Sequence, residues 1–383
     1  MSNINEVPYD FTNSLNPWLM ERNNHLAIKD NDGNKLTAAY IWSKQGKDRE
    51  NLVQYVFNYY REKGFPYNGL SEEELLRGFN KLKEKDPDDV INEEGHIKNT
   101  SSLGNDIYKN WVWEKYFLVT GGATRSVIEV FNDDELLLNV IKNRMGYCLT
   151  REDGTERPYI FSITDGMILQ GIRSTGYGYN ASLFKPVIAK YLYKHYAKNS
   201  VLDFSAGWGS RALSAMSLGL EYYGIDPLTF SEINNMMEFF NGRGVVVEGC
   251  SEDSSIYKDI SMVDCVMSCP PYYNLEEYSK DESQSIVKYK DYSAWISNYW
   301  EQTVVNCLSK LKDDGNFIVV LKDVIKKHNL SEDMVSICKK NSLEIEKKIY
   351  YKTLNSHLTG KKKSKKKQKN SEIIFVFRKN KKN

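Results

Sequence analysis

From residue 200 onward, short apolar runs alternate with amphipathic segments. A parallel β-sheet covered by helices on both faces satisfies that rhythm. The runs 200–204, 221–225, 244–248, 263–268, 316–321, 343–351 and 372–378 read as strands, and 209–218, 229–242, 292–311 and 330–341 as helices. The last two strands follow each other directly across a lysine-rich connection, which suggests an antiparallel hairpin at the sheet edge. The expected class is α/β, a doubly wound and mostly parallel sheet of seven strands. A mainly helical α+β region precedes it.

The first strand runs into Asp203-Phe204-Ser205-Ala206-Gly207-Trp208-Gly209. Small residues in such a turn let the backbone approach a ligand closely, and the amides opening the next helix point at its polar end. In a doubly wound sheet the ligand lies beyond the carboxyl ends of the strands, at the switch point. The next strand ends in Gly224-Ile225-Asp226-Pro227, and Asp226 is placed to accept two hydrogen bonds from ribose hydroxyls. The competing reading makes Asp226 a cap of the following helix. A dinucleotide site would want Gly-x-Gly-x-x-Gly, but Ser210-Arg211-Ala212 follows Gly209.

The fourth strand ends in Ser268-Cys269-Pro270-Pro271-Tyr272-Tyr273. Two prolines fix the backbone and remove it from sheet pairing. Their rigid carbonyls can accept hydrogen bonds from an exocyclic NH2, orient its lone pair and stabilise the cationic nitrogen formed on alkylation. Tyr272 offers a face on which a base can stack. Reaching such an amine requires single strands or a base taken out of the duplex.

This run resembles the Ser/Asp/Asn-Pro-Pro-Tyr signature of the amino-methyltransferases that act on adenine N6 or cytosine N4 of DNA. The resemblance covers about residues 180–383 and implies S-adenosylmethionine as cofactor. The expected antiparallel edge hairpin rests as much on this resemblance as on the strand pattern. It implies catalytic roles for Ser268, Cys269, Pro270, Pro271 and Tyr272. It places Asp203, Phe204, Ser205, Ala206, Gly207, Gly209 and Asp226 around the cofactor. In this family the loop after the third strand presents an acid to the adenine amino group, with Asp253 the first choice and Glu252 the second. A helix over 182–192 would cover the methionine end, with Lys185 meeting the carboxylate. One departure stands out: Cys269 occupies the position where Asp, Asn or Ser usually precedes the two prolines. A cysteine thiolate could instead add to C6 of a pyrimidine and activate C5, although C5-methylating enzymes carry their cysteine after the proline. Methylation of RNA or of a protein glutamine is a further alternative. So is a nucleic-acid-binding protein whose catalysis has decayed.

The net charge of +1 conceals an asymmetry. Residues 1–180 carry about −6 and the remainder about +7. Lys361, Lys362, Lys363, Lys365, Lys366, Lys367 and Lys369 form one run that would give counterion-release affinity for a phosphate backbone. DNA is the expected partner, with RNA the alternative, and the plainer reading of the run is a solvated loop. The six cysteines show no metal-ligand spacing and no Cys-x-x-Cys pair, so no metal is expected and free thiols in a reducing cytoplasm are. No apolar stretch is long enough to span a bilayer.

The first half is less regular. Segments 51–63, 71–85 and 132–143 read as helices, and 125–130 as a short strand. Ser71-Glu72-Glu73-Glu74 forms a capping box. Trp111 and Trp113, with Arg125 and Arg173, have the chemistry to contact bases, or belong to the core. The expected division is an N-terminal region over 1–175, a candidate for target recognition, and a methyltransferase domain over 176–383.

Overall fold

The computed structural model describes residues 24–98, 101–120, 125–147, 160–179, 181–274, 278, 280–322, 328–351 and 372–379. The lysine run 361–369 lies outside them. The chain forms two compact units, one of residues 1–68 and 124–180, the other of 69–123 and 181–383. The single boundary expected near 171–180 is therefore only one of three crossings between them, and 69–123 goes with the sheet. Lys190 shows one physical reason. It is buried at 2% exposure, and its Nζ donates to the carbonyls of Leu82 (2.6 Å), Lys83 (2.8 Å) and Lys85 (2.8 Å). These carbonyls end the helix Glu72–Glu84, so a cation from the sheet unit satisfies groups that a helix terminus leaves without partners.

The sheet has seven strands: β1 (Ser200–Asp203), β2 (Glu221–Ile225), β3 (Arg243–Val247), β4 (Val263–Ser268), β5 (Leu311–Leu321), β6 (Leu343–Tyr351) and β7 (Glu372–Lys379). Their order is β3-β2-β1-β4-β5-β7-β6. Pairing is parallel from β3 through β5, and β7 runs antiparallel to both β5 and β6. This is the expected doubly wound sheet with a closing antiparallel hairpin. Strands β1 and β4 are buried along their whole length, as expected for interior strands covered on both faces. Two apolar clusters lie on the two faces. One includes Val201, Cys265 and Ile318; the other includes Leu202, Val266 and Phe317, as alternation along each strand requires.

Strand β5 starts five residues earlier than expected. Its pairing with β4 skips from Val263↔Leu311 to Cys265↔Asn316. Asp314, at φ +61, and Gly315 turn the chain in that irregular stretch. The free side of β6 meets a bridge between Ile97 and Tyr351, with the Ile97 amide on the Tyr350 carbonyl at 2.9 Å. A short segment of the earlier sequence thus covers part of an exposed sheet edge.

The unit formed by 1–68 and 124–180 is mainly helical, with Gly46–Lys63, Asp134–Arg144 and Asp165–Ser174 as its longer described helices. The expected strand at 125–130 is instead the start of a helix, Val127–Asn132. Ser126 Oγ accepts from the Glu129 amide at 3.1 Å, and the Glu129 carboxylate accepts from the Ser126 amide at 2.7 Å. That Ser-x-x-Glu capping box is visible in the sequence and outweighs the β-branched composition of the run. Among the described residues no helix is long and apolar enough to cross a membrane.

Candidate functional site

The carboxyl ends of β1 to β4 converge on a cavity of about 470 Å³ in the sheet-bearing unit. That volume lies within the roughly 300–1,000 Å³ usual for small-molecule sites. The cavity sits where β1 and β4 lie side by side and the chain winds outward in both directions, which is the switch point of the sheet.

On the β1–β2 side the glycine turn forms the wall. Gly207 (φ +59) and Gly209 (φ +85) both occupy the left-handed region. A Cβ on Gly209 would also come within 3.2 Å of Ile233 and Met236, so space and conformation both demand glycine there. Phe204, Ser205 and Gly207 line the cavity, as do Ser210 and Arg211 at the start of the helix Ser210–Ser217. Ala206 and Gly209 shape the turn without lining the cavity.

Asp203 does not line the cavity. It is fully buried and carries the most densely used carboxylate of the site. Arg211 Nε donates to it at 2.6 Å and Arg211 Nη2 at 3.2 Å; the Tyr222 hydroxyl donates at 2.7 Å and Ser268 Oγ at 2.7 Å. The Ser205 amide adds a bond at 3.3 Å. Asp203 therefore ties the glycine turn, β2 and the start of the ledge into one rigid block. Ser268, also fully buried, acts in that block, away from the cavity. Burial alone would lower the Arg211 guanidinium, but the Asp203 charge and hydrogen bonds raise it above its ordinary value.

Asp226 faces the cavity, and three backbone amides already use it: Leu228 and Thr229 on Oδ1, both at 2.9 Å, and Gly207 on Oδ2 at 2.8 Å. The residue therefore caps the following turn and also faces the cavity. A carboxylate offers about four acceptor positions, and these three amides already use most of them. Burial pushes its carboxyl up, against the pull of those amides.

In the loop after β3 the order of preference reverses. Asp253 is exposed and caps the short 3-10 turn Ser254–Tyr257 by accepting from the Ser255 amide at 2.8 Å. Glu252 lines the cavity, its side chain 6% exposed and paired with Lys288 at 2.8 Å. The Asp-x-Ser spacing of a turn cap explains why Asp253 is drawn away.

The expected helix over 182–192 begins only at Pro186 and runs to Tyr196. A residue preceding proline is disfavoured in helical conformation, and proline suits the first helical position. Ser182, Leu183 and Phe184 therefore stay outside the helix and line the cavity, while Lys185 is the N-cap and does not line it. Burial lowers the Lys185 ammonium from its ordinary value.

Beyond β4, Cys269, Pro270, Pro271 and Tyr272 line the same cavity. Among the described residues no backbone amide donates to the carbonyls of Pro270 or Pro271. The Tyr272 hydroxyl lies 3.2 Å from Cys269 Sγ and reaches the Val320 carbonyl of β5 at 3.4 Å, so its ring is braced across the ledge. Tyr273 takes φ +51, unusual for a bulky residue and confined here to the point where the chain leaves the ledge. Its ring packs on Trp295 and its hydroxyl donates to the Lys290 carbonyl at 2.5 Å, which hold it there.

The cavity also takes in residues that carry no local signal in the sequence. Trp208 stands between the two glycines and meets Tyr116 and Tyr278 edge-on, with centroids 5.4 and 6.0 Å apart. Lys115 and Leu118 come from the helix Asn105–Leu118, far away in sequence. Lys115 pairs with Glu232 at 2.5 Å and donates to the Leu228 carbonyl. Tyr351 and Glu372, paired at the end of β6 and the start of β7, line the far side. Of the aromatic and basic residues weighed for base contact, Trp111 packs on Phe239 and Phe240, and Arg125 pairs with Asp133 at 2.6 Å.

No protein-family model matches the chain, and no curated protein matches it. Solved structures do resemble it. A methyltransferase from Pyrococcus furiosus is 14% identical over 51% of this chain and 83% of its own, with a TM-score of 0.36. Fibrillarin from Aeropyrum pernix, solved with natively bound S-adenosyl-L-methionine, is 13% identical over 47% of this chain and 67% of its own, with a TM-score of 0.31. A precorrin-6y C5,15-methyltransferase from Geobacter metallireducens is 13% identical over 50% and 85%, with a TM-score of 0.32.

Proposed function

We propose that this protein transfers a methyl group from S-adenosylmethionine to an exocyclic amino group of a base, adenine N6 or cytosine N4, in DNA. The observation that carries the reading is that the glycine turn with Asp226 and the Pro270-Pro271-Tyr272 ledge line one and the same cavity at the sheet's switch point. When bound, the cofactor would supply an electrophilic methyl group. The turn at Gly207, Asp226 and Glu252 are the residues that would hold it. The ledge would hold the amine, with Tyr272 beneath the base. Nucleoside digestion and mass spectrometry of DNA from cells expressing the protein should reveal N6-methyladenine or N4-methylcytosine. The same modification found only in RNA would move the substrate class and leave the chemistry in place.

Asp226→Ala should weaken S-adenosylmethionine binding in calorimetry by about 1–3 kcal/mol, because a charged acceptor disappears together with the brace on the Gly207 amide. Since burial raises this carboxyl, affinity should fall on acidification at a higher pH than an ordinary aspartate would give. Unchanged affinity in the variant would remove Asp226 from the site.

The lysine run supports a polyanionic substrate. It belongs to the connection between Tyr351 and Glu372, two residues that themselves line the cavity. Replacing Lys361, Lys362, Lys363, Lys365, Lys366, Lys367 and Lys369 by glutamine should weaken DNA binding on every sequence alike. The salt dependence should flatten by roughly 0.9 for each phosphate that is no longer neutralised. The methylated sequence should stay the same, because phosphate contacts position and base contacts specify. Identical salt slopes for the two proteins would make the run a solvated loop.

A further inference from the structure

The ledge lacks a strong acceptor at its first position, since Cys269 has a thiol where a carboxylate, amide or hydroxyl would bond an amine well. The same cavity holds a carboxylate that can stand in for the missing group. Glu372 opens β7, which runs antiparallel to both β5 and β6, so its first residue comes to the same edge as the last residues of β4 and β5. Glu372 lines the cavity together with Cys269 and both ledge prolines. It lies beyond Tyr272, whose hydroxyl already reaches over to Val320 of β5, the strand that pairs with β7. Gly207, Asp226 and Glu252 thus share one cavity with Tyr272, Tyr351 and Glu372, the last two paired across β6 and β7.

We propose that Glu372 accepts a hydrogen bond from the amino group undergoing methylation, in place of the residue usually found before the two prolines, and receives its proton. The inference rests on the methyltransferase reading and deepens it, because a carboxylate in the cavity selects substrates that present N–H donors. In the step, the amine lone pair forms the new N–C bond while the methyl C–S bond breaks and its electron pair stays on sulfur. The nitrogen, now cationic, gives one proton to the Glu372 carboxylate and becomes the neutral methylamine. A carboxylate near that nitrogen also stabilises the charge as it develops. Burial, and then the neighbouring Glu372, push the Tyr351 phenol up to about 12.

The test uses the full chain saturated with S-adenosylhomocysteine, titrated with 2′-deoxyadenosine against 2′-deoxyinosine and with 2′-deoxycytidine against 2′-deoxyuridine. Each pair exchanges an amine for a carbonyl. The native protein should bind the amine-bearing member of one pair about tenfold or more tightly than its partner, a difference of about 1.4 kcal/mol. Glu372→Gln should bind S-adenosylhomocysteine unchanged and lose or invert that preference, because its amide can donate to the carbonyl. Glu372→Ala should abolish the preference without inverting it. Methyl transfer to unmethylated plasmid DNA should fall by about 10²–10³-fold in Glu372→Gln. An equal preference in native and Gln proteins, or none in the native protein, overturns the role of Glu372 and leaves the methyltransferase reading standing. Failure of the native protein to bind S-adenosylhomocysteine overturns that reading itself, and the role of Glu372 with it.

Discussion

Replacing Asp203 with alanine should destabilise the protein by about 3–5 kcal/mol, the cost of leaving one member of a buried ion pair behind. Arg211 is 4% exposed and would keep its charge with, among the described residues, the Ser205 carbonyl left to accept from it. The Tyr222 and Ser268 hydroxyls would lose the acceptor they now share. Burying groups without partners costs about 1–3 kcal/mol each where no water reaches them, so relaxation must recover part of the sum. Removing the charge and its partner together is a different case. Asp203→Leu combined with Arg211→Met exchanges a buried ion pair for apolar packing, and such exchanges are often close to neutral. The double variant should therefore be more stable than Asp203→Ala alone, although the glycine turn would lose its brace and cofactor affinity would fall. Equilibrium urea unfolding of the native protein, Asp203→Leu, Arg211→Met and the double variant supplies the coupling energy. A single variant as stable as the native protein would show that the cluster is not a structural hub.

Asp203 also shows how far the sequence can be read. Its place in the turn is legible, because an acid ending an apolar run before Gly-x-Gly is a local pattern. Its partners are not, since Tyr222 and Ser268 come from two other strands and meet it only after the sheet is assembled. The same division runs through the site. Strand spans at β2, β4 and β6 follow from apolar runs bounded by turn residues and match the structure to the residue. The helix before β1 is expected four residues early because the apolar pattern outweighs the signal of Pro186. Asp253 and Glu252 are neighbours with like charge, and only the cap on Ser255 decides which one turns inward. Lys115 carries no local mark at all. Glu372 is within reach of topology: the first residue of a strand antiparallel to the sheet must lie at the edge where the other strands end.

Tyr272→Ala should reduce methyl transfer by on the order of 10²-fold, whereas Cys269→Ser should keep activity within about tenfold of the native protein. The first expectation follows from the ring's position on the ledge and from its bracing to Cys269 Sγ and the Val320 carbonyl, which alanine abolishes. Tyr272→Phe separates the two contributions, keeping the stacking face while removing the brace, and should fall between the other variants. The second expectation follows from the chemistry of an amine target. There the residue before Pro270 needs no thiolate, and serine can only be the better partner for an N–H group. Carbon chemistry predicts the reverse, because C5 methylation needs a thiolate that bonds to C6, and serine cannot replace it. DNA containing 5-fluorocytosine then distinguishes the two directly. Under amine chemistry it should be released unchanged by denaturing electrophoresis, and a covalent complex that disappears in Cys269→Ser would instead assign the catalytic role to the Cys269 thiolate.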